Sequence, residues 1–599
     1  AVDAAVSCEV SQMEQVDSSF ATQVLCRLFH ALLCETAHDL CQEGARVWRS
    51  VVVALREHLI GTTALLRAWL QLASTADGAA ASSRVVAEAF VGKDDLPTSV
   101  VMDGDANAAQ AARLRCCQAL GFLTESWPRE KASAAVRAAL SQFGNSRSAY
   151  ERQCVALLVA HAPPLFTNDQ SVHTFLLDVC RTACIDLERG QPYLELHALH
   201  SSLLRQCDEL KRGLERAAAS AASSAELQLE LSRLASTSDI VETALQICTE
   251  VFDKFAGSQQ GDLKQLLLQQ REATAATVGR FAQERARVDT AVMASGAAAL
   301  ASLGQIPSKL NPIVKSLMGA VKREQCDSLR TLAAKALVQV MQWCSENGKS
   351  KVRDRIVSNV CLLLCDSTAV TDADEDAREV LDEDEIDDEA ARQHASSGGL
   401  KVLAHLCSAH GESIFGTHGV PVLRAVASAA LERQKAATSV PSGEELAEVT
   451  KSLRVCGALS AHLSGTALSD LLSSLPAVFH CLRHGYSPML TAACCCLSSM
   501  AKANTAAVME VVLGDGMAML GDSRSESTRV GAAVALREIM SALGVQVVPF
   551  LPLLVVPLLA AMSDSKAAVR RIAAHCFSAL VKLMPLEEPE LQPAMPPAM

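Results

Sequence analysis

Small and large apolar residues recur along this chain in a fixed frame, clearest near the C-terminus. There Arg570-Arg571-Ile572-Ala573-Ala574-His575-Cys576-Phe577 aligns with Arg529-Val530-Gly531-Ala532-Ala533-Val534-Ala535-Leu536. Met489-Leu490-Thr491-Ala492-Ala493 fits the same frame, and the first positions lie 40 and 41 residues apart. Earlier copies begin at Arg330 (Ala333, Ala334, Leu337) and at Arg113 (Cys116, Cys117, Leu120). A weaker one begins at Glu151, with Cys154, Val155 and Leu158. The apolar spacing predicts amphipathic helices. A period of ~40–47 residues is that of helix-pair repeats of the HEAT and armadillo kind.

The frame has a physical reading. Its two adjacent small residues suit a helix crossing, where only Ala, Gly or Cys permits close approach. Its Arg lies near a helix N-terminus, where the helix dipole disfavours a cation. Bonding to an acid or carbonyl in the turn inside the repeat explains it better, with Asp564 the candidate. Prolines at Pro307 and Pro312, and again at Pro549 and Pro552, open the preceding helix, where a missing N–H costs little. The expected fold is all-α: a HEAT/armadillo-type α-solenoid of stacked antiparallel helix pairs, each repeat covering its neighbour's apolar face.

Composition agrees. Half the 599 residues are apolar but only 4% are aromatic. Ala, Leu, Val and Cys fill the apolar positions, and strand-favouring aromatics and Thr are sparse. A chain of this length exceeds a single core, so an extended array fits it. The 22 cysteines lie largely inside apolar helical runs, such as Cys116-Cys117 and Cys494-Cys495-Cys496, and read as small core residues in a reducing compartment.

Charge changes the picture at one place. The net charge is −13, and the run Asp372 to Glu389 carries 12 acids against Arg378. The rest of the chain is nearly neutral. No groove for nucleic acid built on phosphate neutralisation is expected. The run, extended through Ser396-Ser397-Gly398-Gly399, reads as a disordered acidic loop. The longest apolar run, Val547 to Met562, is shorter than the ~20 residues of a membrane span and holds three prolines. It reads as a buried helix, and no membrane association is expected.

The predicted organisation is 1–74, HEAT-type helices; 75–110, a long loop; 111–305, a central helical domain, with long polar helices over 205–290; and 306–365, a HEAT repeat. Residues 366–399 follow as the acidic loop, 400–587 as C-terminal HEAT repeats, and 588–599 as an unstructured tail. The chain begins at Ala rather than Met, which suggests a fragment.

Catalytic constellations are not found. Gly514-Asp515-Gly516 lacks the lysine of a phosphate loop, and Gly411 to Gly416 has the wrong spacing for a nucleophile elbow. His197 and His200 lie three apart without nearby acid or thiol partners arranged as ligands. Cys180/Cys184 and Cys361/Cys365 read as core stripes. The expectation is no catalytic, cofactor-binding or metal-binding residue, no cofactor and no small-molecule substrate.

Several segments carry a resemblance that periodicity does not. Ile306-Pro307-Ser308-Lys309-Leu310-Asn311-Pro312-Ile313-Val314-Lys315-Ser316-Leu317-Met318 resembles the family of the Swi/Snf-type ATPase that removes TATA-box-binding protein from promoter DNA. So do Val547 through Leu558, Met562-Ser563-Asp564, Leu583-Met584-Pro585-Leu586-Glu587 and, in that family's central domain, Asn145-Ser146-Arg147-Ser148-Ala149. The resemblance runs in order from about residue 20 to 590. It implies a nuclear HEAT-repeat scaffold with TATA-box-binding protein as partner, whose ATPase lies outside this chain. Met489 departs from the frame Arg, and the acidic run occupies the place of a different insertion, so no partner contact is assigned to a residue. The alternatives are a karyopherin-type nuclear-transport receptor, also an acidic HEAT array, and an enzyme with a hidden metal site.

Overall fold

A computed structural model describes residues 18–35, 37–55, 63–74, 106–143, 149–167, 169–181, 272–364, 389–416, 419–436, 443–484 and 486–583. Every regular element among them is helical. They fall into two compact units, Ala1–Trp343 and Cys344–Met599.

The first unit contains α1 (Ser18–Cys34), α2 (His38–Ala54), α3 (Thr63–Ser74), α4 (Ala106–Glu125), α5 (Arg129–Phe143) and α6 (Ala149–His161). Beyond them come α7 (Gln170–Arg181), α8 (Glu272–Ser302), α9 (Asn311–Arg323) and α10 (Asp327–Glu346), whose last turn crosses the unit boundary. Helices α4, α6 and α8 stack side by side, each on the next. The frame's small pairs are buried in this unit: Cys116 and Cys117 on α4, Cys154 and Val155 on α6, Ala333 and Ala334 on α10. Near the N-terminus Phe29, Trp48 and Trp69 form an aromatic cluster with ring centroids 5.0–6.0 Å apart, and the Trp48 indole donates to the Ala119 carbonyl at 2.9 Å. Arg152, fully buried, meets Asp178 at 2.6 Å.

The second unit contains α11 (Ser350–Leu362), α12 (Glu389–His410), α13 (Pro421–Ala436), α14 (Gly443–Ser460), α15 (Gly465–Leu472), α16 (Leu475–Cys481) and α17 (Ser487–Ala503). It continues with α18 (Thr505–Val511), α19 (Met517–Leu520), α20 (Glu526–Leu543), α21 (Leu551–Ala561) and α22 (Ala567–Leu583). Helices α14, α17, α20 and α22 form one row, each packed on the next, and α13, α16, α19 and α21 pair with them in turn. Three of these inner-row helices carry the 40-residue frame. Glycine sets the closest approaches: a Cβ on Gly531 would lie 2.1 Å from the Leu482 carbonyl oxygen, and one on Gly457 3.2 Å from the Cys496 Cα.

Helix starts follow the prolines, with Pro312 in the first turn of α9 and Pro552 in that of α21. Three expectations change. Residues 106–110, read as loop, open α4. Ser396 to Gly399, read as the end of the acidic loop, lie inside α12. There Gly398 and Gly399 are buried, and a Cβ on Gly399 would stand 3.3 Å from the Val360 carbonyl oxygen, so the glycines admit α11 rather than break the helix. Of 205–290, residues 205–271 lie outside the described residues, and 272–290 form the polar first part of α8, which continues as an apolar, largely buried segment to Leu303. Val547 to Met562 is a 3₁₀ segment (Gly544–Phe550) followed by α21, and much of it faces solvent.

That apolar stretch does not extend α20 into a span. Gly544 ends α20 at a φ of +53°, so the run from Glu526 to Ala561 is broken between α20 and α21. The acidic run up to residue 388, most of the 75–110 loop, and the 588–599 tail lie outside the described residues.

Candidate protein-interaction surface

The C-terminal repeats are held by the frame arginines. Arg529 donates from Nη1 to the Asp522 carbonyl at 2.8 Å and to the Ser525 carbonyl at 3.3 Å, both in the turn before its own helix. Its Nε reaches the Asp564 carboxylate in the next repeat's turn at 2.8 Å. Arg570 in turn donates to the main-chain carbonyls of Asp564 at 2.7 Å and Ser565 at 2.8 Å. The turn carbonyls explain a cation near a helix N-terminus. Hydrogen bonds from the Lys566 N–H and from Arg529 hold the Asp564 carboxyl below the usual carboxylate range.

Above this ion pair is an open cleft of about 330 Å³. Met517, Leu520, Pro557 and Ala560 form its walls, with Arg529 and Asp564 also in the lining. Beside it α21 presents an apolar outer face: Leu553, Val556 and Leu559 are 58%, 70% and 46% exposed, and Val545 in the preceding 3₁₀ segment is 73% exposed. Leu551, Leu554, Leu558 and Ala561 are buried. This arrangement provides an apolar contact surface beside a cleft lined in part by a buried ion pair.

The family model described as "Domain of unknown function (DUF3535)" matches residues 71–426, more than half of the chain. The chain belongs to that family. It is also 25% identical to the Arabidopsis thaliana TATA-binding protein-associated factor BTAF1, over 95% of this chain and 32% of that protein. The Saccharomyces cerevisiae TATA-binding protein-associated factor MOT1 is 28% identical over 58% of this chain and 20% of its own length. The Homo sapiens TATA-binding protein-associated factor 172 is 25% identical over 74% of this chain and 27% of its own. The chain thus spans about a third or less of these relatives. The resemblance carried by the segments around Pro307 and Pro549 is therefore matched by named relatives. Among solved structures, the karyopherin Kap121p bound to the SUMO protease Ulp1p covers 94% of this chain and 49% of its own, with 12% identity and a TM-score of 0.35. That is too loose to tell one helical array from another.

Within this DUF3535 member the residues weighed for chemistry separate cleanly. Cys180 and Cys361 are buried core thiols, while Cys184, Cys365, His197 and His200 lie outside the described residues. Gly514 to Gly516 end a π-helical turn, Val512–Gly516. Gly411 opens a short 3₁₀ turn, Gly411–Ser413. Burial raises the thiols of Cys180, Cys407, Cys481 and Cys494 to about 12, and those of Cys26 and Cys576 to about 11. Such thiols are poor nucleophiles at neutral pH. Sequence reasoning missed the exposed face of α21. A uniformly apolar helix with polar flanks reads as buried, and only its neighbours reveal which side is covered.

Proposed function

We propose that the chain is a protein-binding scaffold of a nuclear transcription regulator, without catalytic activity of its own. Its partner in this reading is TATA-box-binding protein. An ATPase carried elsewhere in a longer protein supplies the energy that removes this partner from promoter DNA, which the scaffold meets only indirectly. The observation that supports the reading most is the similarity to the Arabidopsis thaliana TATA-binding protein-associated factor along 95% of the chain. Stacked helix pairs with an exposed apolar face suit macromolecular binding. The transport-receptor alternative has only the loose karyopherin likeness behind it.

The test measures TATA-box-binding protein affinity for the chain alone and for the chain joined to further upstream repeats, with an ATPase assay on the same preparations. Specific binding that survives competition by an unrelated basic protein, with no ATP turnover by the chain alone, is expected. Absence of binding in both forms, or ATP turnover abolished by a point substitution in this chain, overturns the reading.

A further inference from the structure

The outer face of α21 is apolar where a helix paired on one side has no structural need to be. At 100° per residue, exposed Leu553, Val556 and Ala560 centre about 160° from buried Leu551, Leu554 and Leu558. Helix α22 packs on α21, and α19 flanks it. A helix stacked alongside in the same row would flank the outer face rather than cover it. The face continues into the 3₁₀ segment, where Val545 and Val548, three apart, are both exposed and fall on one side of a three-residue turn.

Size and charge identify the occupant. Five aliphatic side chains fall far short of the ~20–30 residues per side of a stable dimer. The exposed strip is instead one helix wide and about three turns long, a footprint that a single amphipathic helix covers. No charged residue occurs from Gly544 to Ser563. The charges that adjoin that stretch are engaged: Asp564 with Arg529, Lys566 with Glu526, Arg537 with Glu538, and Arg570 with the Asp564 and Ser565 carbonyls. A charged partner face would lose its hydration and gain no counter-ion there. The lysines and arginines that draw an apolar helix face to anionic lipid are also missing from it. Ala560 belongs both to the exposed face and to the cleft, so a bulky side chain lying along α21 has a place to enter.

We propose that the outer face of α21 docks an amphipathic helix of a partner protein through an uncharged apolar stripe, with one large side chain of that helix seated in the cleft beside Ala560. This deepens the scaffold reading and rests on it.

The probe is a helix-stabilised synthetic peptide with leucines at i, i+3, i+4 and i+7 and glutamine or serine elsewhere, titrated against the whole chain. A peptide with the leucines replaced by serine serves as control. Saturable binding is expected, weakened at least tenfold by Val556→Asp, unchanged by Val352→Asp on α11, and weakened by Ala560→Trp, which fills the cleft. Circular dichroism melts check that these exposed substitutions leave the fold intact. Three further results overturn the proposal: no saturable binding to the wild type; affinity unchanged by Val556→Asp; or equal binding of the serine peptide. Sedimentation with phosphatidylcholine–phosphatidylserine vesicles lost in Val556→Asp identifies a membrane instead, and a concentration-dependent dimer lost in that variant identifies a second copy; either overturns it. TATA-box-binding protein affinity measured on the same proteins separates the two readings. If that affinity is absent while the peptide binds, only the proposed partner fails. If it is present while the peptide does not bind, only the docking face fails.

Discussion

Arg529 and Asp564 belong to successive repeats, yet Nε and Oδ2 lie 2.8 Å apart with both side chains largely buried. The same turn residue uses its carbonyl to hold Arg570 at 2.7 Å. One aspartate therefore links its own repeat to the one before it, by main chain on one side and side chain on the other.

Asp564→Ala is expected to destabilise the last two repeats by about 2–3 kcal/mol. Arg529 keeps its carbonyl partners but stays mostly buried without a counter-charge. Hydrogen exchange at α20 and α22 reports the loss locally. The carboxyl's pKa is depressed in the folded state, so its contribution is present above the unfolded value near 4 and disappears as pH falls through the folded one. Wild type and mutant converge there. Equal exchange rates at neutral pH would sink this account.

Gly531→Ala tests the close approach of α20 to the end of α16. Alanine gains ~1 kcal/mol of helix propensity, but its Cβ would meet the Leu482 carbonyl oxygen at 2.1 Å. That oxygen is backbone and has little freedom to yield. A net loss of about 1–3 kcal/mol is expected, read as a lowered urea midpoint for the C-terminal repeats. A raised midpoint counts against the packing.

Ala573 is fully buried, whereas its neighbour Ala574 is only half-buried. Ala573→Leu should overpack α22 and cost about 1–3 kcal/mol, while Ala574→Leu costs less. Thermal melts of the two variants in the reverse order would refute the assignment of the crossing position.

His161 sits against Gly121, where a Cβ would approach its own Cβ to 2.7 Å. Burial, and then the charge of Lys335, lower its pKa to about 4. An unfolded histidine titrates near 6.5, so between these values the unfolded chain takes up a proton that the folded one refuses. Stability of α4 and α6 should fall as pH drops from 6.5 toward 4, by up to about 3 kcal/mol. His161→Gln should flatten that slope. An identical pH profile in the variant excludes His161 as the cause.

Deleting residues 372–389 removes a charge of −11 read from the sequence. A solvated run is screened over ~8 Å at physiological ionic strength. The affinity for TATA-box-binding protein and its salt slope are expected to stay unchanged. Weaker binding confined to low salt, with slower association, would place the run in the mechanism.

The sequence by itself determined the all-helical repeat architecture, the 40-residue frame, the proline-led helix starts and the use of cysteine as a core residue. These are local facts. Periodicity, a locked φ at proline and a small side chain act within one or two turns of chain, so they are written in neighbouring letters. The family resemblance was legible too, through segments such as those around Pro307 and Pro549.

Tertiary structure decided the rest. Ser396 to Gly399 has the composition of a loop, yet it is helix, and Gly399 admits α11 to within contact of its backbone. Val547 to Met562 has the composition of a core, yet its outer side is bare because α21 is covered on one face only. Asp564 was legible as a partner for a frame arginine, but which arginine its carboxylate takes depends on a helix that begins 38 residues earlier in the chain. Composition states what a helix could bury. Which face it does bury is settled by the neighbours stacked against it, and that is where the candidate docking surface arises.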